Sequence, residues 1–271
     1  MIVLIIASSL ASLALVLALL YLLILVRPRK KIRPRDALLC DYAHRGLHGN
    51  GIPENSLAAF EKACEAGYGI ELDVQLSRDG VVMVFHDYTL VRMTGCDKRL
   101  CELDAEELTS LFLDSSDQTI PTFAQVLSLV DGRVPILVEL KGEDLNTALC
   151  EKVAAQLKDY SGEYCLESFN PLLIGNIRKH LPDALRGLLY TNVCRDKKKS
   201  SALNIALTAM ALNVVAKPDF IAYNKTDRDS LPVKLTTGLW GAPKFVWTVR
   251  SLEELEDAHK RGESPIFENC N

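Results

Sequence analysis

The chain has 271 residues, of which 48% are hydrophobic, and a formal net charge of −4. With 15 glycines, 11 prolines and apolar residues throughout, it is neither collagen-like nor of low complexity, and its acidic balance does not favour nucleic acid, whose phosphates require a basic surface. The average hides three parts: residues 1–26 carry no charge, residues 27–35 carry six cations and no acid, and residues 36–271 have a net charge of −10, from 25 basic and 35 acidic side chains.

The first 26 residues form an apolar run interrupted only by Ser8, Ser9 and Ser12. A helix rises about 1.5 Å per residue, so this run is long enough to cross a hydrocarbon core of about 30 Å. A cleaved signal peptide would instead place basic residues before a shorter apolar stretch and small residues at a cleavage site, and neither occurs here. The sequence therefore predicts a single-pass transmembrane helix over residues 1–26, with the membrane as a partner.

A basic juxtamembrane linker over residues 27–38 follows this helix, with cations at Arg27, Arg29, Lys30, Lys31, Arg33 and Arg35. Because cations next to a membrane span stay on the cytoplasmic side, the linker predicts a cytoplasmic position for the domain that follows it and an N-terminus on the opposite side. Next to anionic headgroups each cation would contribute about 1 kcal/mol of attraction. The eight cysteines show no zinc-like spacing, and we expect most of them to be reduced core residues.

Residues 39–271 alternate strand-like and helical patterns, which favours an α/β domain with a parallel sheet. The strand-like runs cover 39–46, 69–77, 81–86, 134–140, 164–169, 185–190, 220–223, 245–249 and 265–267. The helical patterns cover 56–66, 105–112, 123–130, 145–158, 171–180, 202–213 and 252–261. Asn55 and Ser251 are predicted to cap the first and last of these helices.

One pair of predicted strands changes the number of parallel strands that we expect in the sheet. Only three residues separate 69–77 from 81–86, and so short a connection joins antiparallel neighbours. Eight parallel strands remain, which predicts a TIM-type (β/α)8 barrel with a β-hairpin insertion; a doubly wound open sheet is the alternative. Only residues 268–271 follow the last predicted strand, so we expect the usual eighth helix to be missing or replaced.

Two of the predicted strands carry acidic residues on an otherwise apolar background. Glu71 and Asp73 share one face of their strand, and Glu139 ends another strand with Lys141 on the same face. Buried carboxylates this close repel each other unless a cation neutralises them, and three oxygen ligands suit Mg²⁺ or Ca²⁺. The alternative is a solvated polar face. The favoured interpretation makes Glu71, Asp73 and Glu139 the ligands of a divalent cation.

Two histidines also end predicted strands. His44 and His86 would lie near the carboxylates, and imidazole titrates near neutral pH, so they are candidates for a proton donor and acceptor. Arg45 and Lys141 add positive charge suited to a phosphate. The remaining histidines, at positions 48, 180 and 259, are interpreted as surface or packing residues.

In order and spacing, a series of motifs resembles the glycerophosphodiester phosphodiesterase family from residue 44 to about residue 269. The motifs are His44-Arg45-Gly46, Pro53-Glu54-Asn55-Ser56, Glu71-Leu72-Asp73-Val74, Asp79-Gly80, Val84-Phe85-His86-Asp87 and Glu139-Leu140-Lys141, followed by Ser168-Phe169-Asn170 and Trp247-Thr248-Val249. One departure lies at 262–269, where the sequence Gly-Glu-Ser-Pro-Ile-Phe-Glu-Asn replaces a pattern like G-V-D-G-I-I-T-D.

The resemblance implies a TIM-type barrel that hydrolyses glycerophosphodiesters, in a metal-dependent reaction, to glycerol 3-phosphate and an alcohol. It implies the roles already suggested for the carboxylates and histidines, without deciding which histidine is the acid. It also implies Arg45, Lys141 and Trp247 as substrate contacts. Hydrolysis of lysophospholipids at the membrane, of the lysophospholipase D type, is the alternative; a non-catalytic scaffold that binds lipid headgroups is a third. The predicted selectors lie after the strands, at Phe169-Asn170, Tyr223-Asn224 and Trp247.

Overall fold

A computed structural model describes residues 2–25, 29, 36–142 and 147–270 of the chain. Nine strands form one sheet in the order β1-β9-β8-β7-β6-β5-β4-β2-β3, and an additional pairing of β1 with β2 closes it. The strands are β1 (Tyr42–Ala43), β2 (Gly69–Leu76), β3 (Val82–Val84), β4 (Ile136–Leu140), β5 (Tyr164–Ser168), β6 (Leu185–Tyr190), β7 (Phe220–Asn224), β8 (Lys244–Val249) and β9 (Ser264–Phe267).

The helices lie between the strands on the outside of the barrel, apart from the N-terminal one. They are α1 (Ile2–Ile24), α2 (Leu57–Ala66), α3 (Val91–Thr94), α4 (Ala105–Thr109), α5 (Phe123–Val130), α6 (Ala148–Lys158), α7 (Pro171–His180), α8 (Val193–Asp196), α9 (Ala202–Thr208), α10 (Asn213–Ala216), α11 (Leu231–Leu239) and α12 (Leu252–Lys260). This arrangement confirms the predicted TIM-type barrel. The alternative of an open doubly wound sheet is wrong, because β1 pairs with both β2 and β9 and so closes the sheet.

The barrel closes through the shortest strand, β1. Tyr42 is the register partner of Gly69 on β2 and of Ile266 on β9, so the first strand links the second to the last. The predicted strand 39–46 is longer than this because the chain turns at Arg45 and Gly46, both with positive φ. A Cβ at residue 46 would lie 2.8 Å from the side chain of Ala59, so only glycine allows α2 to pack this close.

Side chains of the parallel strands alternate between the barrel interior and the surrounding helices. On β2, Ile70, Leu72 and Val74 face the helices and join the outer core, while Glu71 and Asp73 face inward. An inner apolar layer closes the interior below these acids, with members Tyr42, Leu137, Cys165, Leu185, Phe220, Phe245 and Ile266. The barrel is therefore packed, and its polar residues lie at one end.

The predicted hairpin is confirmed, since β3 pairs antiparallel with β2 and Val84 lies opposite Val74. The chain that follows, through α3 and α4, has an apolar cluster of its own. Its buried members include Phe85, Leu100, Leu108 and Ile120. This insertion packs over the start of the hairpin and returns the chain to α5.

Some local predictions differ from the structure. Ser56, not Asn55, caps α2, because the Ser56 hydroxyl accepts from the amide of Ala59. Ser251 caps α12 as predicted. Of the helix predicted over 202–213, the structure forms only α9, which ends at Thr208; the chain then turns at Met210 (φ 55°), and α10 begins at Asn213. Helix α11 was not predicted. The helix expected over 145–158 begins at Ala148, and residues 145–146 lie outside the described part.

Other expectations concern the closing strands and the cysteines. The sequence predicted that the usual eighth helix is missing or replaced. At this position in the structure, the ring of Phe267 on β9 faces outward and packs edge-on against Tyr68, with ring centroids 4.9 Å apart. All eight cysteines are unpaired, but only Cys150 and Cys165 are buried, so the expectation of mostly core cysteines is wrong.

The N-terminal helix α1 is long and apolar enough over Ile5–Ile24 to cross a membrane. Its side chains from residue 5 to residue 20 are exposed, and burial begins in its last turn. Of the six linker cations, Arg29 is described and the other five lie outside the described residues.

Candidate active site

The structure brings all eight predicted site residues together at the C-terminal end of the barrel. A cavity of 240 Å³ opens there, and seven of the eight line it. These seven are His44, Arg45, Glu71, His86, Glu139, Lys141 and Trp247. The eighth, Asp73, is buried and contacts Lys141. A larger groove of 530 Å³ lies at the opposite end of the barrel and contains none of the eight.

The centre of the site is a cluster of three buried carboxylates. Glu71, Asp73 and Glu139 each offer an oxygen, and these oxygens lie within 4.8 Å of one another. The strands impose this cluster, because Asp73 and Glu139 are register partners and Glu71 is on the same face of β2. The three residues are only 2%, 1% and 7% exposed, so the alternative of a solvated polar face is wrong.

Burial and mutual repulsion shift the pKa values of these three carboxylates in different directions. Burial, then repulsion by Asp73 and Glu139, holds the pKa of Glu71 well above its usual range. Burial also raises the pKa of Glu139 to about 7, although Lys141 opposes the shift. Burial disfavours the charge on Asp73 as well, but Lys141 and other nearby cationic groups outweigh it and lower its pKa. One carboxylate of the cluster is thus firmly ionised and two resist ionisation.

Two basic residues neutralise part of this charge. The ammonium of Lys141 lies 3.0 Å from Asp73 Oδ1 and 2.8 Å from Glu139 Oε1. The guanidinium of Arg45 lies 3.6 Å from Asp73 Oδ2 and donates to Glu54 at 2.9 Å, while its backbone amide donates to Glu71 Oε2 at 2.9 Å. The positive φ of Arg45 (57°) turns both its amide and its side chain toward the acids.

His44 is paired with a carboxylate from the last strand. Its Nδ1 lies 2.8 Å from Glu268 Oε2, and its Nε2 lies 3.9 Å from Glu71 Oε2. Arg250 donates to the second oxygen of Glu268 at 2.6 Å. The hydrogen bond from His44 lowers the pKa of Glu268 to about 2, while burial lowers the pKa of His44 against the pull of Glu268. The imidazole is therefore neutral near pH 7 and held in one orientation.

His86 has the same arrangement with its neighbour. Its Nδ1 lies 2.6 Å from Asp87 Oδ1, and Arg92 donates to the other oxygen of Asp87 at 2.5 Å. Arg92 also donates to Glu54 at 2.6 Å, and Glu54 binds Arg45. Burial lowers the pKa of His86. Asp87, Arg92 and Glu54 thus connect His86 to Arg45, which lies beside the carboxylates.

Several residues of the site were not predicted from the sequence. Glu268 lies in the segment that departs from the family pattern, so its sequence carried no signal for a role. Asn55, predicted as a cap, has φ 53° and donates from its side chain to Asp73 Oδ2 at 2.8 Å. His48 was interpreted as a surface or packing residue, but its Nε2 lies 3.9 Å from Glu268 Oε2.

A fourth inward carboxylate, Glu167, also lines the cavity. It is 1% exposed, it is the register partner of Glu139, and its Oε2 has no hydrogen-bond partner among the described residues. Burial, then repulsion by Glu71 and Glu139, holds the pKa of Glu167 well above its usual range. The alternating pattern of β5 could have revealed this residue, because Cys165 and Glu167 occupy the same face.

The opposite side of the cavity is apolar. The indole of Trp247 donates to the carbonyl of Ala222 at 3.0 Å, and its ring meets Phe169 edge-on with centroids 5.5 Å apart. The other predicted selectors serve different purposes: the Asn170 and Asn224 side chains cap the helical turns that follow them, and the Tyr223 hydroxyl donates to Glu263 at 2.6 Å outside the barrel. Phe169 and Trp247 therefore form the aromatic wall of the site.

Comparison with known proteins is consistent with this geometry. A sequence model described as the glycerophosphoryl diester phosphodiesterase family matches residues 44–269. A glycerophosphodiester phosphodiesterase of Caldanaerobacter subterraneus subsp. tengcongensis is 36% identical over 159 residues, which are 55% of this chain and 65% of that protein. Human glycerophosphodiester phosphodiesterase 1 is 29% identical over 175 residues, 60% of this chain and 52% of that protein. The chain thus spans between half and two thirds of these curated relatives.

Solved structures share the fold over most of their length. An Oleispira antarctica phosphodiesterase, solved in complex with the product sn-glycerol-3-phosphate, superposes with a TM-score of 0.70 at 23% identity, covering 84% of this chain and 92% of that one. A glycerophosphodiester phosphodiesterase from Thermotoga maritima gives a TM-score of 0.65 at 25% identity, covering 84% and 94%.

Proposed function

This chain belongs to the glycerophosphoryl diester phosphodiesterase family, and we propose that it hydrolyses glycerophosphodiesters to sn-glycerol 3-phosphate and an alcohol. One observation carries the proposal: three buried carboxylates lie within 4.8 Å of one another, between two histidines that are each paired with a carboxylate. Such a site combines a place for a cation with two groups able to move protons.

The donor set supports a divalent cation as cofactor. Glu71, Asp73 and Glu139 provide hard oxygen ligands, as Mg²⁺ and Ca²⁺ require. Among the described residues, Arg45 and Lys141 are the arginine and lysine that form ion pairs with Asp73 or Glu139. Four buried carboxylates, including Glu167, lie beside them, so a doubly charged ion would offset the buried negative charge. When bound, the cation supplies electrostatic stabilisation of the charge that develops on the phosphate oxygens.

The two histidines are proposed as the proton-transfer pair. With Nδ1–H of His44 donated to Glu268, its Nε2 faces the carboxylate cluster and can accept or donate a proton there. His86 is held by Asp87 in the same way, leaving its own Nε2 for the substrate. For net hydrolysis, one imidazole takes a proton from the attacking water as its oxygen forms the new P–O bond, and the other protonates the alcohol oxygen as its bond to phosphorus breaks. The paired geometry is compatible with either assignment.

The remaining residues are proposed to bind substrate. Arg45 and Lys141 line the cavity beside the carboxylates and are suited to the phosphate oxygens. The aromatic wall of Trp247 and Phe169 faces them, so it would contact the organic part of the diester. This division of the cavity into a charged and an apolar side matches a substrate with a phosphate between two organic groups.

We also propose that residues 1–26 anchor the domain 39–271 to a membrane through the linker 27–38. The support is the length and apolarity of Ile5–Ile24 and the exposure of its side chains. The excess of linker cations favours a cytoplasmic position for the domain.

Lysophospholipase D-type hydrolysis is the second candidate. The observation in its favour is the apolar mouth, where Phe169 is 42% exposed beside Trp247 and could contact an acyl chain. A scaffold without catalysis is disfavoured, since it would have no use for two carboxylate-paired histidines beside a cation site.

The test is release of sn-glycerol 3-phosphate from glycerophosphocholine by the purified full chain in detergent, with Mg²⁺, Ca²⁺ or EDTA. We expect metal-dependent turnover that His44→Ala and Glu71→Ala abolish. His180→Ala is the matched control, because His180 lies at the end of α7 outside the cavity. Turnover that survives both chelation and the two site substitutions would contradict the proposal, and lack of turnover by the native chain on every phosphodiester would favour the scaffold.

A further inference from the structure

We propose that the N-terminal end of the barrel is the face that lies on the bilayer, so that the catalytic cavity opens toward water and selects soluble glycerophosphodiesters over lysophospholipids held in the same membrane. The inference rests on the proposed activity and on the proposed membrane anchor. It concerns which end of the barrel the anchor contacts, a point that neither the motifs nor the relatives address.

The first observation is where α1 meets the barrel. Tyr21 and Leu22 are partly buried against the outer core, and Leu25 is 3% exposed within it. The indole of Trp240 donates to the carbonyl of Leu22 at 3.0 Å. That carbonyl belongs to the last turn of α1, where carbonyls commonly take partners from outside the helix, so Trp240 binds the end of α1 to the barrel. Trp240 directly follows α11 and precedes β8, which places this contact at the N-terminal end of the barrel.

The second observation is an ion pair made by the linker. The Arg29 guanidinium donates to both oxygens of Asp219 at 2.6 Å each, to the carbonyl of Ala184 at 2.8 Å, and to the carbonyl of Pro182. Asp219 is fully buried and directly precedes β7, and Ala184 directly precedes β6. Arg29 is therefore bound where two adjacent parallel strands begin. Its bidentate geometry fixes direction as well as position.

The buried partner of Arg29 is shared with a second arginine. Arg186 is fully buried on β6, and its guanidinium lies 3.6 Å from Asp219 Oδ2. Asp219 thus contacts one guanidinium of the barrel and one of the linker. Because a buried carboxylate is costly to leave without its charged partners, this contact holds Arg29 to the barrel.

The third observation is an apolar surface beside this contact. Val214 and Val215 on α10 and Leu239 at the end of α11 are 55%, 45% and 53% exposed. All three lie in segments that lead into β7 or β8, at the same end of the barrel as Trp240 and Asp219. Leu239 directly precedes Trp240, which binds the end of an apolar and exposed helix, so we take the bilayer interface as the occupant of this surface.

The catalytic residues lie at the other end. His44 and Lys141 lie just beyond the C-terminal ends of β1 and β4, and the cavity that they line also contains His86 and Trp247. Strands of five or six residues separate the two ends of the barrel by roughly 15 Å. The side chains of α1 from residue 5 to residue 20 are exposed, so this part of the helix does not pack along the barrel wall beside the cavity. A lysophospholipid anchored by its acyl chain could not bring its phosphate to this cavity without leaving the bilayer.

The two tryptophans of the chain provide a direct test, because Trp240 lies at the anchor contact and Trp247 at the cavity. Trp247→Phe and Trp240→Phe each leave a single fluorophore in the full chain reconstituted into phosphatidylcholine vesicles. With brominated in place of ordinary lipid, we expect a several-fold larger loss of emission from Trp240 than from Trp247. Equal quenching of both, stronger quenching of Trp247, or quenching of neither would overturn the inference.

A matched pair of surface substitutions tests the apolar face. Leu239→Glu changes a residue beside the anchor, whereas Leu252→Glu changes one of similar exposure at the start of α12, after β8. In the Trp247→Phe background, the first should reduce quenching of Trp240 and the second should leave it unchanged. Equal effects of the two substitutions would contradict the proposed face.

Substrate competition completes the experiment. The reconstituted native chain should hydrolyse glycerophosphocholine with a kcat/KM at least about tenfold above that for lysophosphatidylcholine placed in its own vesicles. The reverse preference would overturn the inference. Two controls separate the possible causes of failure. A chain that alkaline carbonate extracts from the same vesicles contradicts the proposed anchor, and a chain that turns over no diester in detergent contradicts the proposed activity. An anchored and active chain with the reverse substrate preference contradicts the orientation alone.

Discussion

His44 and Glu268 are 224 positions apart in the chain and form a 2.8 Å hydrogen bond between imidazole Nδ1 and carboxylate Oε2. The pairing follows from closure of the barrel, because β1, which leads to His44, lies beside β9, which leads to Glu268. The carboxylate both orients the imidazole and stabilises its protonated form. Glu268 is therefore a positioning residue whose effect can be measured separately from that of His44.

Glu268→Gln is expected to lower kcat by about 100-fold with little change in KM, because well-placed acid–base catalysis contributes about 10²–10⁴-fold and the amide cannot stabilise the imidazolium. The limb of the pH–rate profile that belongs to His44 should move to lower pH, since Glu268 raises the pKa of His44 and its charge is removed. Steady-state kinetics on glycerophosphocholine across pH measures both effects. An unchanged profile with reduced turnover would indicate a purely structural role for Glu268.

The same ion pair predicts a pH dependence of stability. Because the pKa of Glu268 falls to about 2 on folding, its contribution is present above the carboxyl's ordinary pKa of about 4.5 and is lost as the pH falls from there toward 2. The native chain should be more stable than Glu268→Gln at pH 6, and the difference should shrink at lower pH. Urea unfolding of both chains in detergent, at pH 6 and pH 3, measures it; a constant difference would contradict the linkage.

Addition of Mg²⁺ or Ca²⁺ to metal-free protein should raise its unfolding temperature, because a ligand that binds only the folded state stabilises it, by about 2.7 kcal/mol at 100 times its Kd. Glu71→Gln should abolish this stabilisation, since it removes one of the three proposed ligands. Glu61→Gln is the control, as Glu61 lies on the surface of α2 and binds Arg133. Equal metal stabilisation of all three chains would place the cation elsewhere.

Glu167→Gln is expected to stabilise the metal-free protein at neutral pH. The folded state raises the pKa of Glu167 well above its unfolded value, so the folded state retains a proton that the unfolded chain loses, and stability falls as the pH rises above about 4.5. The amide avoids that loss. In EDTA, the unfolding temperature of Glu167→Gln should therefore exceed that of the native chain by an amount that grows from pH 5 to pH 8. Glu256→Gln, at an exposed carboxylate, is the control. A difference in unfolding temperature that does not depend on pH would show that Glu167 is not held in its neutral form.

Asp219→Asn should destabilise the chain by about 3 kcal/mol, because it leaves the buried Arg186 without a counter-charge. Arg29→Ala should cost less, since its side chain is 29% exposed and can be solvated when unpaired. Asp229→Asn, at an exposed carboxylate that binds Lys234, should change stability by less than about 0.5 kcal/mol. Chemical unfolding in detergent measures all three, and an Asp219→Asn chain as stable as the native one would contradict the role of this pair.

The sequence by itself determined the features that depend on local periodicity. The period of two along residues 69–77 placed Glu71 and Asp73 on one face and Ile70, Leu72 and Val74 on the other, and the three-residue connection before 81–86 required a hairpin. Because parallel strands bring their C-terminal ends to one side of a barrel, the same pattern also placed His44, Glu139 and Lys141 near these acids. The hairpin brings His86 to the same acids, since it follows the strand that pairs antiparallel with β2.

Only the tertiary structure decided which distant groups meet. Closure of the sheet brought Glu268 to His44, and the start of β7 brought Asp219 to Arg29. The turn at Asn55 directs its side-chain amide to Asp73, so that this side chain does not cap the helix that follows. No local pattern carries such pairings, because each depends on strand register around a closed barrel and on backbone angles that neighbouring residues do not dictate. The end of the barrel that receives the apolar helix is likewise a property of packing, decided by where Trp240 and Asp219 lie in three dimensions.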